Sequence, residues 1–200
     1  MKTVSTLLGW MLATSTAWAA SVGQPAPAFS AADASGKPVS LADFKGKTVV
    51  LEWVNPECPY VRKHYDSANM QATQKAATGQ GVVWLAVNST HPSHSDHKKP
   101  AEMLAWNQKQ AAAPTATLMD GDGKIGRAYA ARTTPHMYVI DAQGRLVYAG
   151  GIDDKPSSNP ADVKTAKNHV NAALADVRAG RPVAQAVTRA YGCSVKYSDG

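Results

Sequence analysis

Two cysteines, Cys58 and Cys193, stand in a chain of 200 residues. A cysteine thiolate attacks disulfide or peroxide bonds, so the question is what would activate one of them. Cys58 follows a short apolar run, Thr48-Val49-Val50-Leu51-Glu52-Trp53-Val54, and a breaker, Asn55-Pro56-Glu57. Pro59 comes next, and proline suits the first position of a helix. The order reads strand, turn, Cys58, helix. A helix start offers unpaired backbone N–H groups and the positive end of a dipole, both of which favour a thiolate. Arg62, Lys63 and His64 follow one turn later and are expected to add positive potential. An inert buried thiol would need none of this.

The rest of the chain supplies elements to hold such a site. Ser40-Leu41-Ala42-Asp43-Phe44 reads as a capped helical turn, and 48–54 as a buried central strand. The helix opened by Cys58-Pro59 runs to about Thr78, where Gly79-Gln80-Gly81 stops it. Val82 to Val87 is a second strand, and His91 to Lys99 a polar loop. A helix from Pro100 to about Ala111 and a strand from Thr115 to Met119 follow. Met137–Asp141 and Leu146–Ala149 flank a hairpin turn, and Asp162–Ala179 carries a one-sided apolar stripe. Strands alternating with helices define an α/β sandwich around one sheet, a single domain over residues 20–200.

Composition removes several classes of function. With 21 Lys+Arg against 15 Asp+Glu the formal charge is +6. No block of like charges or basic–aromatic interleaving points to nucleic acid. No apolar run of about 18 residues is present, so no stable membrane span is expected. Residues 1–19 instead have a charged start at Lys2, an apolar stretch from Val4 to Ala13, and Ala17-Trp18-Ala19 before the cut. That is the layout of a cleaved secretory signal peptide. Export to a periplasm or the exterior places both thiols in an oxidising compartment, where they pair or serve redox chemistry. The sequence carries no signal for an oligomeric state.

With these residues in place, the chain resembles the thioredoxin-like superfamily, in its redoxin branch of alkyl hydroperoxide reductase and thiol-specific antioxidant proteins. The resemblance rests on Ala26-Pro27-Ala28-Phe29, on the stretch from Glu52 through Cys58 to Tyr65, on Ala131 to Asp141, and on Gly151-Ile152-Asp153-Asp154. The ending Tyr191-Gly192-Cys193-Ser194-Val195-Lys196-Tyr197 is similar to that of one exported subgroup. The resemblance implies a mixed central sheet flanked by helices and a cis Pro135, after Thr134, facing the reactive cysteine. It also implies a buried acid, Glu52, relaying protons with a pKa raised by burial, and no cofactor. Pro59, Tyr60, Arg62, Thr134 and His136 are then expected around the substrate.

The departures from the pattern matter equally. Val61 stands where a Cys-x-x-Cys site has its second thiol, and Arg62 where a copper chaperone has one. Asn55 replaces the Thr or Ser of a peroxidatic site, and Leu51 its proline. Cys193, on a tail expected to be mobile, is left as the resolving thiol. Three readings stay open. One is a thiol-disulfide oxidoreductase acting on a periplasmic electron donor or client protein. The second is a peroxidase reducing a small hydroperoxide through a Cys58 sulfenate. The third is a non-catalytic binding module with a structural Cys58–Cys193 disulfide or a metal-handling His loop; for Cys193 alone, intermolecular pairing in a dimer also stays open. His91, His94 and His97 are spaced as weak metal candidates, although Lys98-Lys99 opposes a cation.

Overall fold

The computed structural model describes residues 20–198; the proposed signal peptide, residues 1–19, lies outside the described residues. In chain order, a small antiparallel hairpin, β1 (Ser30–Ala32) and β2 (Pro38–Ser40), precedes the capped 3-10 turn Leu41–Phe44. The central strand β3 (Val49–Trp53) leads through α1 (Pro59–Asp66) and α2 (Asn69–Thr78) to β4 (Val83–Asn88). Next come α3 (Pro100–Lys109), β5 (Ala116–Met119) and α4 (Lys124–Ala128). The strands β6 (Thr133–Thr134), β7 (His136–Ile140) and β8 (Leu146–Gly150), then α5 (His169–Arg178) and β9 (Cys193–Ser194), complete the chain.

The main sheet has the order β5-β4-β3-β7-β8. β3 runs parallel to β4 and antiparallel to β7, so the sheet is mixed as expected. All five residues of β3 are buried, which an alternating polar strand would not tolerate. Its side chains serve two cores in turn. Val50 packs with Trp84, Met137, Val139 and Tyr148 on one face. Val49, Leu51 and Trp53 pack with Leu85, Val87, Tyr138 and Ile140 on the other.

Three expectations need correction. The helix read from 58 to 78 is two helices, broken at Ser67-Ala68, where Ala68 adopts φ 59°. Apolar periodicity survives such a break because both pieces bury a stripe. The helix read from 162 to 179 is a 3-10 turn, Pro160–Lys164, followed by α5, which Asn168 caps by accepting from the Asn171 N–H at 2.9 Å. The tail is not a free arm. β9 pairs antiparallel with β6, Thr134 opposite Cys193. Beyond it the Val195 N–H donates to Arg132 O (3.0 Å) and the Tyr197 hydroxyl to Ala131 O (2.8 Å). Backbone pairing and the anchoring tyrosines, buried Tyr191 and half-buried Tyr197, fix a segment whose polarity alone reads as mobile.

Left-handed backbone costs an alanine roughly 1–2 kcal/mol, and Gly repays part of that in unfolded-chain entropy. Ala68→Gly is therefore expected to stabilise the protein by about 0.5–1 kcal/mol, seen as a higher urea midpoint at unchanged slope. A lower midpoint would show that the break is not strained.

Candidate functional site

Cys58 is the N-cap residue of α1, with Pro59 at the first helical position, as the sequence implied. Its carbonyl accepts the first helical bond, from the Arg62 N–H at 3.0 Å. The thiol is 2% exposed and donates to the carbonyl oxygen of Thr134 at 3.0 Å. The Thr134-Pro135 peptide is cis, and both residues are buried.

The same short backbone segment receives the tail. β9 lays Cys193 opposite Thr134, the residue whose carbonyl takes the Cys58 thiol, so the two thiols are neighbours. Both are free, Cys58 buried and Cys193 half-buried. Gly192 makes the approach possible: at φ 140° a Cβ there would lie 2.0 Å from the Thr134 carbonyl oxygen. Burial, followed by hydrogen bonding to the neighbouring Cys58 sulfur and its charge, pushes the Cys193 thiol up to about 12. Cys193 is thus protonated at neutral pH.

Glu52 is fully buried on β3, not at a wet strand end. Its carboxyl accepts from the Tyr65 hydroxyl (2.8 Å), Gln74 Nε2 (3.0 Å) and Trp84 Nε1 (2.8 Å). Desolvation outweighs these three bonds and raises its pKa, the direction expected from sequence. Among the described residues its hydrogen-bond partners include neither thiol.

Lys63 and His64 are turned toward Asp153 and Tyr191 in a buried cluster. Both are buried beneath α1, where Lys63 Nζ lies 3.5 Å from Asp153 Oδ2 and donates to Lys155 O at 2.7 Å. His64 Nδ1 accepts from Asn69 Nδ2 (2.9 Å), which leaves Nε2–H to donate to the Tyr191 hydroxyl (3.2 Å). Burial depresses its pKa to about 4 and outweighs the attraction of Asp153, so the ring is neutral. The Tyr191 hydroxyl in turn donates to Asp153 Oδ1. Sequence reading missed this cluster. One signal was available: His64 and Tyr65 fall three and four residues after Val61, on the stripe that α1 buries.

The remaining candidates separate cleanly. Arg62 is exposed and donates to Glu57 O at 2.7 Å, at the rim of the site. Tyr60 is half-buried, its ring 6.0 Å from that of Tyr191. His136 serves packing: its ring lies 4.5 Å from Tyr138, and its Nδ1 accepts from the Arg132 N–H at 3.3 Å. Burial, with a smaller push from Arg132, lowers it to about 4. Both ends of the Asn55 amide are taken, by the Glu57 N–H (2.9 Å) and by Asp96 Oδ2 (3.0 Å). The 91–99 loop is therefore clamped beside Cys58, with Lys98 Nζ also 2.7 Å from Glu57. No cluster of three His, Cys, Asp or Glu able to hold a metal occurs among the described residues, so His91, His94 and His97 do not form the metal site weighed from sequence.

A mixed sheet with a helix-capping cysteine facing a cis proline defines a thioredoxin-like α/β protein, and solved structures share this fold. One, an uncharacterised conserved protein from Geobacillus kaustophilus, superposes with a TM-score of 0.77 at 25% identity, over 90% of this chain and 94% of that one. A putative thiol:disulfide interchange protein DsbE from Chlorobium tepidum gives 0.54 at 22%, over 66% and 85%. The chain belongs to the AhpC/TSA family, whose pattern matches residues 22–149. It is also similar to the thiol-disulfide oxidoreductase ResA of Bacillus subtilis (strain 168), 26% identical over 134 residues. That match spans 64% of this chain and 65% of the relative, just under two thirds of its length.

A histidine whose folded pKa is depressed takes up protons first in the unfolded chain. Its stabilising contribution is complete above about 6.5 and lost as pH falls toward 4, on the order of 3 kcal/mol for such a shift. Glu52, raised by burial, works in the opposite direction. NMR titration is expected to show His64 and His136 neutral at pH 5, with urea stability falling between pH 6.5 and 4. Either imidazole titrating near 6.5 would contradict this account.

Proposed function

We propose that this chain is an exported thiol-disulfide oxidoreductase in which Cys58 is the nucleophile and Cys193 the resolving thiol. One observation carries the reading: β9, paired at Thr134, seats Cys193 next to Cys58. The Cys58 sulfur attacks one sulfur of a client disulfide, forms a mixed disulfide, and releases the first client thiol. Cys193 then gives up its proton and attacks the Cys58 sulfur. The Cys58–Cys193 bond forms, the mixed disulfide breaks, and the second client thiol leaves with the proton. Two electrons pass from the pair to the client, and the reverse sequence passes a disulfide on. The partner is a periplasmic thiol/disulfide donor or client protein, and Pro59, Tyr60, Arg62 and Thr134 border its approach. Glu52 is kept as the buried acid that buffers the proton.

The Cys193 thiol, raised by burial, fits the second step, in which it attacks only after giving up its proton. The ResA similarity supports the reaction class. Cys58→Ser is expected to abolish reduction of a disulfide substrate. Cys193→Ser should stall at a mixed disulfide on Cys58, seen in mass spectrometry as an adduct. Retained turnover in either variant overturns the reading. Glu52→Gln is expected to shift the pH profile of exchange, and an unchanged profile removes Glu52 from the mechanism. For export, intact mass of the protein recovered from the periplasm should place the mature N-terminus at Ala20.

A further inference from the structure

The polar cluster beneath α1 is expensive to build. Lys63, His64 and Asp153 are each 3% exposed or less, and an ion pair so placed repays its desolvation only through good partners. One of those partners comes from the tail. Tyr191 passes its hydroxyl to Asp153, accepts from His64 Nε2 at 3.2 Å and lies 3.4 Å from Lys63 Nζ. It precedes Cys193 by two residues, and Lys63 and His64 follow Cys58 by five and six. The anchor of the resolving thiol is therefore fastened to the helix whose first turn carries the nucleophile. Resting on the reading above, we propose that Tyr191 is a positioning residue: its hydroxyl, seated on Asp153, clamps β9 against β6 so that the Cys193 sulfur is presented to Cys58.

The chemistry suits a clamp. A hydroxyl donating to a buried carboxylate makes a charge-assisted bond, stronger than one between neutral groups. Lifting the tail would leave Asp153 and His64 each short of a partner out of water. Gly192 between clamp and thiol adds no side chain that could hold β9 away from Thr134. Holding two reacting groups in place raises the effective concentration of one toward the other. Ring packing alone is the competing explanation, since Tyr60 and Lys63 both contact the Tyr191 ring. Tyr191→Phe separates the two, because it keeps the ring and removes only the hydroxyl.

The test equilibrates the mature protein with reduced and oxidised glutathione, then measures the effective concentration of the Cys58–Cys193 couple after alkylation. Wild-type protein comes first: a pair that never closes within the chain refutes the oxidoreductase reading, whatever Tyr191 does. Given a closing pair, Tyr191→Phe is expected to lower the effective concentration about tenfold, the size of one lost hydrogen bond to a charged group. A value within about twofold of wild type overturns the proposal. Should that chain fail to fold, Gly192→Ala, whose methyl collides with the Thr134 carbonyl, lifts the same strand. An effective concentration unchanged in that variant overturns the proposal equally.

Discussion

The backbone of Thr134 is the point on which the site depends. Its carbonyl accepts the Cys58 thiol, its strand pairs with the strand that carries Cys193, and its peptide bond to Pro135 is cis. Pro135 lacks an N–H, and β7 pairs with the central strand only from His136 onward. β6 is thereby separated from the main sheet and left with an edge, which the tail fills. Remove this arrangement and the two thiols belong to unrelated parts of the chain.

Two buried acids flank this centre under different constraints. Glu52 accepts from neutral donors on Tyr65, Gln74 and Trp84, which favour its charged form, but burial outweighs them and raises its pKa. Asp153 faces Lys63, a cation, and takes a hydroxyl from the tail. The first is tied to β3, α1, α2 and β4, and contributes to the unity of the core. The second joins α1 to a segment added after the last helix. Burial is common to both, and the partners decide what each one does.

How much of this was legible in the sequence follows from the range of the interactions. The strand–Cys58–Pro59 unit is written in neighbouring residues, so it could be read directly. The cis Pro135 and the burial of Glu52 came through the resemblance to the thioredoxin-like superfamily. The seat of Cys193 was not legible, because β9 is two residues long and owes its existence to β6, some sixty positions earlier. The buried partner of Lys63 and His64 was not legible for a related reason. Their partner, Asp153, is brought near only by the hairpin and the chain that follows it. Asp96, which holds Asn55 beside Cys58, carried no local signal at all.

The placement of β9 also has a thermodynamic side. The two sulfurs it brings together stand 193 − 58 = 135 positions apart, so joining them makes a covalent ring of most of the chain. On the loop-entropy account, closing a ring of that size removes about 5 kcal/mol of disorder from the unfolded ensemble. Linkage makes the effect mutual: whatever oxidation adds to the stability of the fold, folding adds to the resistance of the bridge to reduction. Whether the pair is oxidised or reduced is therefore a property of the whole domain, and a substitution far from either sulfur can retune it by changing how firmly the tail is seated.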